Sequence, residues 1–510
     1  MRDKNVKLLL IGLDGAMPGL LKKFSEEGEV PCLTQLTREG VLLELLPSPP
    51  CDTPTNWTTI VTGAWTGTHG VTGFNVHLPG ESLSLGVRSG FDTRLCGAEF
   101  LWDVAEKKGL KSLLYDYPPS RPPTIKNGIV LGGWFNSGRV GSGVGSFHMP
   151  EFEKVLPYPG QLQMNSKGDD NQLFTTAIPL PKGSYYNAKE TMERAEGMCN
   201  RFVKALQYLK KYHNWEVLFS HLHLLDYLSH QILNDIWEQH PDYTPKRGEK
   251  GWSVMRDAYH LLDRTISRVI DEFADEKTVV CVISDHGAVP SSRLVWPGSA
   301  LEKAGLTKFL KDGDNYRIDP LASEAAFYFS PPEYIWVNLK GREPDGIVEP
   351  GGEYEEVRSQ IISALLDIRD PENSKCPFSL VIRKEQAGFL GQWGDRCGDV
   401  ICFTEPEYAL LDFGMADHGI IGGMKELLEM GDLQIGGDTR QGSHHGHLPT
   451  HKISPFSISG VGIISGPGVR SGYFRPKPVQ MVDIAPTLSH LLDWPKPTQA
   501  EGGLLWDILK

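Results

Sequence analysis

Two uninterrupted apolar runs constrain this chain more than any other feature. Val6-Lys7-Leu8-Leu9-Leu10-Ile11-Gly12-Leu13 ends in Asp14-Gly15, and Thr278-Val279-Val280-Cys281-Val282-Ile283-Ser284 ends in Asp285-His286-Gly287. Strands without polar alternation are buried on both faces, as in the parallel sheets of α/β proteins. In such sheets, groups that bind ligands lie just past the carboxyl ends of the strands. Asp14, Asp285 and His286 stand at those ends. On its own, Asp14 reads as a turn former or ribose binder before it reads as a metal ligand. Asp285-His286 is the stronger signal, because two donors leave one strand together. A second Asp-His-Gly, at Asp417, follows no comparable strand and reads as chance.

The stretch from Cys51 to Gly63 reads as a loop that turns sharply into a helix. Pro54 suits the first helical position, which makes Thr53 the expected N-cap. Backbone N–H groups and the positive end of the helix dipole would then surround its hydroxyl. That environment can hold a phosphoryl oxygen and stabilise an alkoxide, although an ordinary threonine cap explains the same residues taken alone. The Gly/Thr-rich segment from Gly63 to Asn75 reads as a surface loop.

Apolar spacing further indicates helices over Met17–Glu27, Leu101–Lys108, Ala188–Tyr212 and Met255–Glu272, and strands over 41–46, 112–115, 128–132, 215–220 and 456–465. Asp226 and His230, four apart, share one face of a helix, as a metal pair or a surface ion pair would. His444, His445 and His447 form the densest cluster of potential ligands. Periodicity fades over 141–182, which suits an insertion or lid. The expected division is a catalytic core from 1–140, 188–289 and 408–510, a lid over 141–187, and a cap or inserted subdomain over 290–407.

A net charge of -13 and a pI near 5.7 argue against a broad nucleic-acid-binding surface, while leaving a nucleotide open as a small substrate. No apolar run has the length of a membrane span, and the charged N-terminus carries no signal-like segment. The eight cysteines are scattered, without a CxxC pair. A reduced, cytoplasmic protein is therefore expected, with no membrane partner. The oligomeric state is not legible.

The candidate ligands are Asp14, Thr53, Asp226, His230, Asp285, His286 and one histidine of the 444–447 cluster. Imidazole and carboxylate without thiolate suit zinc or manganese in a hydrolytic site, and seven ligands suit two ions better than one.

These motifs, in this order and over nearly the whole chain, resemble the alkaline phosphatase superfamily in its type I phosphodiesterase/nucleotide pyrophosphatase branch. The resemblance is carried by Asp14-Gly15, the Thr53 loop ending in Ile60-Val61-Thr62-Gly63, Thr68-His69-Gly70, Asp226 with His230, Asp285-His286-Gly287, His445-Gly446 and Asp483-Ile484-Ala485-Pro486-Thr487. It implies an α/β core with a mostly parallel central sheet flanked by helices, plus inserted cap segments. It also implies one metal ion held by Asp14, Thr53, Asp285 and His286, and another held by Asp226, His230 and His445. His445 is chosen because it directly precedes a glycine, with His444 and His447 as fallbacks; Thr55 is the alternative to Thr53. On this pattern the Thr53 hydroxyl, acidified beside one ion, attacks phosphorus to give a phospho-threonine, and water then hydrolyses it. Asn75 would hydrogen-bond a phosphoryl oxygen, although it lies one residue further from His69 than the family spacing and also reads as a turn former.

Between Glu39 and Val87 there is no Lys or Arg, whereas Trp57, Trp65 and Phe74 offer stacking surface. This favours a phosphodiester or nucleotide pyrophosphate over a more highly charged monoester. The alternative places the tryptophans in the core and brings Arg121, Arg139 or Arg440 to a monoester. A phosphoglycerate-mutase-like isomerase is disfavoured by threonine at the nucleophile position. A sulfatase is disfavoured by the lack of a Cys/Ser-x-Pro-x-Arg motif. A non-catalytic binding protein is disfavoured by the full ligand set.

Overall fold

The computed structural model describes residues 7–83, 88–131, 188–212, 215–312, 315–327, 331–410, 433–435, 442–443 and 446–510. The expected lid over 141–182 and Asp417–Gly419 lie outside the described residues. Strand β1 (Lys7–Leu13) shows how the core is built. Leu9, Ile11 and Leu13 pack into one apolar cluster, while Leu8 and Leu10 pack into another on the opposite face. A strand that is apolar throughout is thereby buried on both sides.

Helices α1 (Pro18–Glu26) and α2 (Pro31–Glu39) cover the first face. Strand β2 (Val41–Leu46) leads to α3 (Thr53–Thr62), which covers the second. Then follow α4 (Leu101–Lys107), β3 (Ser112–Tyr115), β4 (Gly128–Leu131), α5 (Ala188–Tyr212), β5 (Val217–Leu222), α6 (Leu224–Ile236), α7 (Pro245–Phe273) and β6 (Thr278–Ile283). Helix α7 begins earlier than its apolar spacing suggests. Pro245 sits in its first turn behind the capping residue Thr244, and Gly251 gives room for the Ile236 side chain of α6, since a Cβ there would lie 2.5 Å from it. That glycine allows close helix packing and does not end the helix.

Strands β7 (Ala325–Phe327), β8 (Tyr334–Val337), β9 (Phe378–Arg383) and β10 (Val400–Thr404), with helix α8 (Gly352–Leu366) preceding β9, make a smaller antiparallel sheet in the order β7-β8-β10-β9. It has its own apolar cluster around Trp336, Ile361 and Phe403. Strands β11 (Gly460–Ser465), β12 (Tyr473–Phe474) and β13 (Val479–Gln480), then helix α9 (Ile484–Leu491), return to the large sheet.

That sheet has nine strands in the order β12-β2-β11-β6-β1-β5-β3-β4, with β13 also on β2. The run β6-β1-β5-β3-β4 is parallel throughout, and β11 pairs antiparallel with both β2 and β6. The mostly parallel sheet flanked by helices is the architecture the sequence indicates. Among the described residues, no helix is long and apolar enough to cross a membrane.

Candidate active site

Three neighbouring parallel strands end together. Leu13 pairs with Leu222 and Gly12 with Ile283. Within four residues of those ends, the chains deliver Asp14 from β1, His223 and Asp226 from β5 and the start of α6, and Asp285-His286 from β6. Gly15 makes the close approach possible. Its φ is +74°, and a Cβ there would lie 2.6 Å from the Asp226 backbone.

Helix α3 brings the fourth group. Asp52, not Thr53, is the N-cap: its carbonyl accepts the first helical hydrogen bond, from the Asn56 N–H at 3.0 Å. Pro54, lacking an N–H, fits the second helical position as readily as the first. Thr53 is thus the first helical residue, and its Oγ1 lies 3.2 Å from Nε2 of His286. Nδ1 of His286 is 3.0 Å from the Gly287 carbonyl, which can only accept, so Nδ1 carries a proton and Nε2 faces the site. The same Nε2 is 3.2 Å from Asp285 Oδ2 and 3.6 Å from Asp14 Oδ1.

Asp14, Asp285 and His286 are fully buried, and their donor atoms converge. Burial, with the charges of Asp14 and Asp226, pushes the Asp285 carboxyl well above the usual range. For Asp14 burial acts in the same direction, but His223, His221 and His286 outweigh it and hold the carboxyl well below that range. Among the described residues, the Asp285 carboxyl is opposed only by the backbone N–H groups of Gly15 and of Asp285 itself, and Oδ1 of Asp14 receives no hydrogen bond.

Around a tetrahedral ion with bonds of about 2.0–2.1 Å, ligand atoms stand roughly 3.3 Å apart. The 3.2–3.6 Å separations around His286 Nε2 match that spacing. A buried carboxylate oxygen left without a donor is what a cation would complete. The residues present therefore fit a divalent ion.

Asp226 and His230 lie beside this group, with His230 Nε2 3.4 Å from Asp226 Oδ1. His223 joins the two sets: Nδ1 is 3.1 Å from Asp14 Oδ2 and Nε2 is 3.2 Å from Asp226 Oδ2. Burial lowers the His223 pKa, but Asp14 and Asp226 reverse the shift and raise it. His444 and His445 lie outside the described residues. His447 is buried, and its carbonyl accepts from the Cys51 thiol at 3.5 Å. Asn75 is half-buried in a two-residue strand, and no hydrogen bond joins it to the cluster among the described residues. Thr55 is fully buried.

Two further expectations change. The Gly63–Asn75 segment is largely buried, because Gly63 packs on Pro486 and Ala485 while Gly67 and Gly70 pack on Trp393 and Arg396. Trp57 is also fully buried and offers no face to a substrate; its Nε1–H donates to Asp14 Oδ2 at 3.2 Å. His221 and His223 escaped the sequence reading. Their signal was a His-x-His at the carboxyl end of a strand, hidden inside runs read only as strand and helix.

The fold is an alkaline-phosphatase-type α/β core with this cluster at its strand ends. A family model for type I phosphodiesterase / nucleotide pyrophosphatase matches residues 8–423, and the chain belongs to that family. No curated protein matches it in sequence. Among solved structures, human ectonucleotide pyrophosphatase/phosphodiesterase 5 aligns over 99% of this chain and 100% of its own at a TM-score of 0.54 and 14% identity. The murine protein, as an inactive threonine-to-alanine variant in complex with AMP, aligns over 99% and 100% at 0.53 and 16%. Phosphonoacetate hydrolase from Sinorhizobium meliloti 1021, in complex with phosphonoformate, aligns over 94% of both chains at 0.52 and 14%.

Proposed function

We propose that this chain hydrolyses a phosphodiester or nucleotide pyrophosphate bond through a covalent phospho-threonine on Thr53, using two divalent ions, zinc or manganese. The observation that carries the reading is the buried Thr53 hydroxyl, 3.2 Å from His286 Nε2 at the point where Asp14 and Asp285 also converge. Asp14, Thr53, Asp285 and His286 would hold one ion, and Asp226, His230 and a histidine of the 444–447 loop the other. Bound there, such ions acidify a hydroxyl and neutralise phosphoryl oxygens.

The chain's own residues do the rest. Helix α3 directs its free N-terminal N–H groups toward the phosphoryl oxygens. The surrounding burial keeps water from competing with Thr53 as nucleophile. Thr53 attacks phosphorus, the ester oxygen leaves, and water later cleaves the phospho-threonine. Asn75 is proposed to hydrogen-bond a phosphoryl oxygen of the bound substrate.

Two features support a diester or pyrophosphate. No Lys or Arg lies between Glu39 and Val87, and Trp65 and Phe74 remain half-buried beside the nucleophile segment. Arg121 is buried next to Asp116. AMP in the murine relative and phosphonoformate in the hydrolase are phosphorus-containing small molecules of the size this reading requires.

Hydrolysis of bis-p-nitrophenyl phosphate against p-nitrophenyl phosphate, with zinc or manganese, tests it. The expected result is a higher kcat/KM on the diester, falling by about 10³-fold or more in Thr53→Ala with little change in KM. A preference for the monoester moves the reading to a phosphomonoesterase, and full activity in Thr53→Ala removes the phospho-threonine.

A further inference from the structure

Every polar atom of Asp14 but one has a partner. Its N–H donates to the Leu222 carbonyl and its C=O accepts from the Asp226 N–H, both at 3.0 Å. Its Oδ2 lies 2.8 Å from His221 Nε2, 3.2 Å from Trp57 Nε1 and 3.1 Å from His223 Nδ1. Its Oδ1 alone receives no hydrogen bond, and it faces His286 and Asp285.

The two donors to Oδ2 differ in kind from the atoms around His286 Nε2: Trp57 Nε1, at 3.2 Å, is an indole N–H that can only donate. His221 approaches Oδ2 at hydrogen-bond distance, shorter than the 3.2–3.6 Å that separates the atoms around His286 Nε2. His221 and Trp57 are themselves held. Both are fully buried, and their rings meet edge to face at 5.2 Å and 84°. The Trp57 carbonyl accepts from the Tyr117 hydroxyl at 3.1 Å. Gly12 leaves the space that the indole occupies, since a Cβ there would lie 2.5 Å from it. Trp57 also stands four residues after Thr53, on the same face of α3.

We propose that His221 and Trp57 are positioning residues that saturate Oδ2 of Asp14, reserve Oδ1 for the metal ion, and lock the Thr53 helix in register with β1. The inference rests on the metal-dependent reading above. A carboxylate ligand free to rotate would offer either oxygen; pinned by two N–H donors, it offers one. Removing groups that orient a ligand in this way typically weakens metal binding by about 10- to 100-fold.

Zinc affinity of the metal-free chain, measured by competition with a chromophoric chelator, is the test, with the Tm of the metal-free proteins recorded alongside. Wild type is expected to take up two zinc ions. His221→Leu should weaken one of them by about 10- to 100-fold, and Trp57→Phe by about tenfold. His221→Gln, which can return an N–H to Oδ2, should recover most of the loss. In turnover of bis-p-nitrophenyl phosphate, the His221→Leu deficit should fall on kcat and shrink as zinc is added, with KM unchanged.

A purely structural role would lower the Tm in both His221 variants and leave zinc affinity alone, which overturns the inference. Wild-type zinc affinity in both His221→Leu and Trp57→Phe overturns it as well. If His221→Leu does not fold, Trp57→Phe decides by itself. A wild-type chain that takes up no zinc overturns the metal-dependent reading, and this inference with it.

Discussion

Asp399 in the smaller sheet and Asp285 at the ends of the larger one are both fully buried. Asp399 receives the Val337 N–H, two Arg342 N–H groups and the Tyr354 hydroxyl, each at 2.7 Å, and Lys384 Nζ at 3.1 Å. Burial would raise its pKa, but these donors hold it down at about 2. Among the described residues Asp285 has no cationic partner but His286, and burial with the charges of Asp14 and Asp226 outweighs the backbone N–H groups of Gly15 and Asp285 and pushes it well above the usual range. A buried carboxylate that the protein itself neutralises is part of the architecture. One that the protein leaves beside two further carboxylates, as Asp285 stands beside Asp14 and Asp226, is poised for stabilisation from outside the chain.

The sharpest way to break this contrast is to make the same substitution in both places. Asp399→Asn removes the carboxylate shared by Arg342 and Lys384 and should cost about 3–5 kcal/mol in urea unfolding. His69 gives the next largest effect. Burial and the charge of Arg396 hold its pKa at about 3. The Val71 N–H donates to its Nδ1 at 3.1 Å, and its Nε2 contacts Thr59 Oγ1 at 3.0 Å, an arrangement that suits the neutral ring. Since the unfolded chain protonates first, its contribution is complete above about pH 6.5 and is lost as pH falls toward 3. About 2 kcal/mol should disappear between pH 6.5 and 5, and His69→Gln should flatten that slope.

Asp285→Asn should act with the opposite sign to Asp399→Asn. It should make the metal-free protein about 1 kcal/mol more stable while removing one zinc ion and the turnover. A loss of stability there would mean that the cluster is an internal structural network like the one around Asp399. The smallest effect is the control. Lys7 pairs with Asp275 at 2.8 Å with both side chains more than a third exposed, so Lys7→Ala should cost about 0.5 kcal/mol or less.

Legibility in the sequence followed the same division. Asp14, Asp285 and His286 were readable because each ends an apolar strand, and the period of burial places them at the sheet's edge before any contact is known. Thr53 was readable as the head of a helix, but not its offset from the cap, since Pro54 tolerates both neighbouring positions. His221, His223 and the N–H of Trp57 were not readable, because their role depends on which strand lies beside β1. The order β6-β1-β5 is a long-range property. Trp57 misled for the same reason: an aromatic ring near a nucleophile looks like a substrate surface until the strand beneath it is known. The partners of Asp399 come from Val337, Arg342, Tyr354 and Lys384, and no local pattern announces such a network.

The pairing of β1 with β6 joins Leu10 to Cys281, and the pairing of β1 with β5 joins Leu10 to Phe219. Closing loops of that length is slow and comes at a high entropic cost before any contact rewards it. The strand-end cluster of Asp14, His223, Asp226, Asp285 and His286 cannot assemble until those closures are made. Catalytic competence is thus a late event in the life of each chain. On the proposed metal-dependent reading, a partly folded chain with β1 unpaired would have no place to hold an ion and no acidified threonine with which to cut a phosphate ester.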